Sequence, residues 1–127
     1  MSANKANKIL GRRARSLLKA STTTGRQKLE YLRTDKPEIE VMLVEITPGG
    51  QSGRHMHPVP TLVYVIEGTL TVELDDGSRH KYPAGTTSME VTNIWHNARN
   101  MARKSLRLLV IYLGEKGRLN LIRPAGT

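Results

Sequence analysis

The chain has 127 residues, no cysteine and a formal net charge of +9. That length suits one domain able to bury its own core, and the lack of cysteine excludes a disulfide framework and thiolate metal ligation. The charge is unevenly placed: up to Arg33, nine basic residues stand against one acid, Glu30, whereas from Thr34 onward 11 basic residues face 10 acidic ones.

The excess charge therefore marks residues 1–33 as a basic N-terminal arm, partly helical or disordered, ahead of a nearly neutral body over residues 34–127. Within the arm, Ile9, Leu10, Leu17 and Leu18 give residues 6–20 the partial apolar stripe of a short helix. Such an arm attracts polyanions weakly and in a salt-dependent way, but its composition fits a solvated leader better, so nucleic acid is not the expected partner. No stretch approaches the roughly 20 apolar residues that span a bilayer. Arg12, Arg13 and Arg15 interrupt what would be the apolar core of a secretory leader. The expected location is cytoplasmic, with no membrane partner.

After Pro37 the pattern changes. Residues 39–46 alternate in a way that suits a strand with both faces partly covered, and Pro48-Gly49-Gly50-Gln51-Ser52-Gly53 then reads as a loop. Leu62–Ile66 is a buried strand, Glu67-Gly68 a turn or bulge, and Thr69–Leu74 the next strand. Asp75-Asp76-Gly77 signals a hairpin. A short strand through His80 and Tyr82, a turn at Pro83-Ala84-Gly85, and strands over Thr86–Val91 and Leu106–Leu113 complete the series. Short strands, frequent Gly/Pro turns and almost no helical pattern after residue 25 predict an all-β barrel or sandwich. With no Phe and one Trp, its core must be aliphatic.

The chemistry sits in the histidines. His55 and His57, two apart in an extended segment, point the same way because strand side chains alternate with period two. His96, from another strand, can close a set of three. Imidazole suits zinc, iron, copper and nickel, and three of the four histidines lie in this pattern. The fourth, His80, lies between Arg79 and Lys81 after a hairpin turn and reads as a surface residue. Glu90, six residues before His96, is an outer-shell partner or general base if it faces inward; outward, it is a solvated carboxylate, the commoner state of its residue type. Asn100 is expected to tie down local backbone.

From about residue 38 to 115 the chain resembles the cupin superfamily, in particular small single-domain bacterial cupins with His-x-His-Pro-x-Pro. The first cupin motif is matched by Gly49, His55, His57, Thr61 and Gly68, with Thr61 where the motif carries glutamate. The second is matched by Gly77, Pro83-Ala84-Gly85, His96 and Asn100. The resemblance implies a double-stranded β-helix, the jelly-roll barrel. It implies one divalent transition metal (Fe, Zn, Ni, Mn or Cu) on His55, His57 and His96, and often a homodimer, to which residues 26–36 could add a strand. Thr61 and Tyr64 are candidate pocket residues, and Thr61 does not supply a fourth ligand. The function so implied is a small-molecule enzyme, a metal-dependent dioxygenase, isomerase or related activity on an anionic or carbonyl substrate, with Glu90 as the candidate catalytic residue. The alternative is a non-catalytic binding or sensing module, because this fold hosts both.

Overall fold

The computed structural model describes residues 9–126. Seven strands follow in chain order: β1 (Pro37–Ile46), β2 (Thr61–Glu67), β3 (Thr69–Leu74), β4 (Arg79–Pro83), β5 (Thr87–Met89), β6 (His96–Arg99) and β7 (Leu106–Glu115). They form a four-stranded sheet in the order β1-β7-β2-β5 and a three-stranded sheet in the order β4-β3-β6. Every pairing is antiparallel. The expected all-β jelly-roll architecture is what forms.

Alternation builds the core between the sheets. On β7, Leu106, Leu108, Val110 and Tyr112 are buried while the residues between them are half-exposed. They pack with Val63 and Val65 of β2 and Leu70 and Val72 of β3. Each such aliphatic side chain removed from water contributes about 1.5–3 kcal/mol. The Glu67-Gly68 corner is the predicted irregularity: the β2–β7 register shifts between Val65 and Glu67. Gly68 has φ 85°, and a Cβ there would lie 2.7 Å from the Ser105 carbonyl oxygen, so only glycine fits.

Two expectations need correction. The helix over residues 6–20 does not form among its described residues: Ile9–Gly11 is a single 3-10 turn, with Leu10 at φ 65°, and no helix follows up to Ala20. Residues 6–8 lie outside the described residues. Four apolar side chains interrupted by arginines give too narrow a stripe to hold a helix without a packing partner. Second, β1 is not covered on both faces. It is an edge strand exposed along most of its length, and only Ile46 is buried. Within the chain residues 26–36 form no strand, and only Lys28 takes part in a bridge, with Thr22.

The chain before β1 is nevertheless fastened to the body. Thr24 Oγ1 lies 2.7 Å from Tyr82 Oη and donates to the Met89 carbonyl, and Gln27 bonds Thr92 through both its amide nitrogen (2.7 Å) and its carbonyl oxygen (2.9 Å). This clip runs along the free edge of β5. Among the described residues, no helix is long and apolar enough to cross a membrane.

Candidate metal centre

The loop after β1 carries His55 into a two-residue antiparallel bridge with His96. His55 N–H donates to the His96 carbonyl at 2.9 Å and His96 N–H returns the bond at 2.8 Å. Residues paired this way put their side chains on one face, and His57 joins them by period two. The three ring centroids lie 4.3–5.0 Å apart. One ring nitrogen from each falls within 4.8 Å of the others. All three side chains are buried, at 4 % exposure or less.

Each imidazole is aimed by a backbone carbonyl. Nδ1 of His55 donates to Gly53 O at 2.7 Å, that of His57 to Asn120 O at 2.9 Å, and that of His96 to Ile94 O at 2.9 Å. A carbonyl only accepts, so Nδ1 carries the proton and Nε2 keeps its lone pair. Second-partner bonds of this kind fix the tautomer and ring orientation of metal-binding histidines. Burial disfavours the charged form and lowers the pKa of His55 to about 4 and that of His57 to about 3, against 6.5 for an ordinary imidazole, despite the carbonyl bonds, which act the other way. The two rings are thus neutral at neutral pH, as metal ligation requires.

Glu90 faces the same space. It is 4 % exposed, and burial raises its pKa above the usual carboxylate range. Ser88 Oγ donates to its Oε1 at 3.3 Å. Its Oε2 lies 3.7 Å from His96 Nε2 and has no hydrogen-bond partner. A buried carboxylate oxygen left unpaired beside three imidazoles is costly unless it takes up a proton or a cation joins them. This donor set therefore fits a divalent transition metal.

Residues 42–112 match the cupin domain family. The chain is a cupin. No match is found among curated proteins. Solved structures share the fold. A protein from Bacillus halodurans is 24% identical over 65% of this chain and 67% of its own, with a TM-score of 0.57. The polyketide cyclase RemF from Streptomyces resistomycificus is 20% identical over 69% and 63%, with a TM-score of 0.57. Oxalate decarboxylase from Lactobacillus farciminis, in complex with formate, is 22% identical over 66% of this chain, with a TM-score of 0.57; the match spans only 26% of the decarboxylase.

The remaining site residues divide clearly. Thr61 is fully buried on the inward face of β2, but its hydroxyl donates to Val59 O at 3.0 Å, and it does not line the three-histidine cavity. Tyr64 does not line it either: on β2, residues 61, 63 and 65 point inward, and Tyr64 has the opposite parity. His80 stays apart, with Nε2 3.0 Å from Ser78 Oγ. Asn100 ties down backbone as expected, donating to Ile46 O and Lys104 O and accepting from Ala102 N–H.

Two features escaped the sequence. Pro83-Ala84-Gly85 forms the β4–β5 turn, so a whole strand separates it from His96. The turn that delivers His96 instead centres on Asn93, at φ 59°, whose N–H donates to His57 O. The C-terminal segment is the other. Met56 and Ile122 exchange two backbone bonds, and Asn120 O aims His57, so residues 120–122 wall the centre. Gly114 lets this segment approach: a Cβ there would lie 2.6 Å from Asn120 Oδ1.

The three histidines and Glu90 line a cavity of about 90 Å³ inside the barrel. Val44, Ile46, Ser52, Tyr112 and Leu121 line both it and an outer cleft of about 720 Å³ between β1 and the C-terminal segment. Arg118, Arg123, Glu40 and Glu45 stand in that cleft.

Proposed function

We propose that this cupin is a small-molecule enzyme whose centre is one divalent transition metal held by His55, His57 and His96. The observation that carries the reading is the convergence of three buried imidazoles, each with its Nδ1 spent on a backbone carbonyl. Such a metal supplies Lewis acidity toward a carbonyl or carboxylate oxygen. The chain does the rest. The apolar barrel wall excludes bulk water, the imidazoles bring no negative charge to the metal, and the outer cleft admits a ligand past Ser52 and Tyr112.

An inner volume of about 90 Å³ has room for roughly three waters. That suits a small anionic or carbonyl group at the centre, with any larger part of the substrate left in the cleft. Solved cupins of the same fold support this class: oxalate decarboxylase is described with formate and oxalate oxidase with glycolate. The test is turnover of a panel of small hydroxy-, keto- and dicarboxylates by metal-loaded protein. Turnover that disappears in His96→Ala, with strand content retained, supports an enzyme. Saturable binding without turnover of any member moves the function to a binding or sensing module.

The partner we propose is a second copy, seated on β1. Ile39, Val41 and Leu43 are 65, 56 and 62 % exposed on a ten-residue strand whose outer edge pairs with no strand among the described residues. Long apolar edges of this kind are otherwise an aggregation hazard. The other outer strands have three to five residues, so only a second β1 matches its length. Light scattering on Val41→Lys/Leu43→Lys is expected to show a monomer where the wild type is a dimer; a monomeric wild type contradicts the arrangement.

A further inference from the structure

We infer that Glu90 is the carboxylate ligand of the metal centre, supplied from the end of β5 in place of the residue at Thr61 on β2. This rests on the metal reading above and adds a residue to it. Four observations support it. Thr61 cannot serve: it has no carboxyl group, and its hydroxyl is committed to Val59 O. Glu90 is its neighbour across the sheet, with its N–H on Thr61 O at 2.9 Å, so a side chain at residue 90 enters the barrel beside residue 61. The Glu90 carboxyl reaches the cavity of the three histidines, with Oε2 3.7 Å from His96 Nε2. Finally, Oε2 is the one buried polar atom of that cavity with no partner among the described residues, while Oε1 is held only by Ser88 Oγ at 3.3 Å.

The apolar surroundings sharpen the argument. Val63, Leu70, Leu108 and Val110 line the same cavity, and none offers a donor to Oε2. A buried carboxylate that stays ionised must be paired or bind a metal to repay its desolvation, and among the described residues no arginine or lysine lines this cavity. Anionic oxygen also suits the harder divalent ions better than a fourth imidazole does. Ligation by Glu90 makes the centre one unit less positive than three histidines alone. It shifts the expected metal toward those that take mixed nitrogen and oxygen donors.

The experiment is a competition titration of the metal-stripped full chain with Zn²⁺, and with Co²⁺ for its visible spectrum. It compares wild type, Glu90→Gln, Glu90→Asp and the double variant Thr61→Glu/Glu90→Gln. Removing a ligand should cost at least the roughly tenfold in affinity typical of losing an outer-shell partner. Glu90→Gln should therefore bind Zn²⁺ at least about tenfold more weakly and change the Co²⁺ spectrum, with Glu90→Asp in the same direction and part of the loss recovered in the double variant. The metal-free Glu90→Gln protein should melt no lower than metal-free wild type, which separates ligation from a purely structural role. Wild-type affinity and spectrum in Glu90→Gln would overturn the inference and leave the three-histidine centre standing. Absence of Zn²⁺ and Co²⁺ binding by wild type would overturn both.

Discussion

The N–H of Glu90 donates to the carbonyl oxygen of Thr61 at 2.9 Å, which sets the buried carboxyl of this cupin one strand over from the threonine standing where the family motif carries glutamate. The two side chains divide their duties: Glu90 faces the histidines, and Thr61 turns its hydroxyl back onto Val59 O. Thr61→Val keeps the shape and loses only that local bond. It should cost about 1 kcal/mol of stability and leave metal affinity unchanged in a Zn²⁺ competition titration. A loss of affinity would place the hydroxyl in the centre after all.

The C-terminal segment should matter to the centre more than its position in the chain suggests. A chain ending at Gly117 loses the Asn120 carbonyl that aims His57, the Met56–Ile122 bond pair and the Arg123 bond to Ser52 O. Metal affinity should fall about tenfold or more while the far-ultraviolet strand signal persists. Unchanged affinity would show that His57 needs no partner at Nδ1.

The metal-free protein should lose stability on mild acidification. His55 and His57 titrate near 4 and 3 in the fold and near 6.5 when unfolded. Their contribution is therefore complete above pH 6.5 and is lost as pH falls below it, because the unfolded chain takes up protons that the fold refuses. Glu90 acts in the opposite sense. Its folded pKa is raised from 4.5, so its contribution is complete below 4.5 and is lost as pH rises through the folded value. Near pH 5 each of the two histidines contributes up to about 1.4 kcal/mol per pH unit, and Glu90 acts against them. Urea titrations between pH 5 and 6.5 should show that slope, and Glu90→Gln should steepen it. A flat profile in both proteins contradicts the buried neutral pair.

Asn100 is a structural anchor. Its amide donates to Ile46 O and Lys104 O, and its carbonyl takes the Ala102 N–H, all at a side chain that is 1 % exposed. Asn100→Ala leaves those groups unpaired and should cost about 3 kcal/mol in denaturant unfolding. A cost below about 1 kcal/mol would mean that water replaces the side chain.

The legible parts of this protein were those governed by alternation. Period two in β2 and β7 gave the strands and the core, and period two at His55 and His57 gave their common direction. Glu90 resisted because alternation stops there: Ser88, Met89, Glu90 and Val91 are all buried, and Thr24 bonds the Met89 carbonyl at the free edge of β5. Parity along the strand thus carries no information about which way residue 90 points. Asn93 carried only the weak signal that asparagine tolerates positive φ. Asn120 carried none, because it aims His57 with a backbone carbonyl that any residue could supply. The fastening of residues 24–27 to the body leaves no sequence signal for a similar reason. Thr24 and Gln27 bind the body through side-chain hydrogen bonds, which leave no hydrophobic pattern.

The central claim is that three histidines hold a metal, and elemental analysis of protein purified without an affinity tag tests it most directly. Wild type should carry close to one divalent transition metal per chain, and His55→Ala/His57→Ala, folded by its strand signal, should carry none. A metal-free wild type, or a double variant that keeps its metal, would contradict the account.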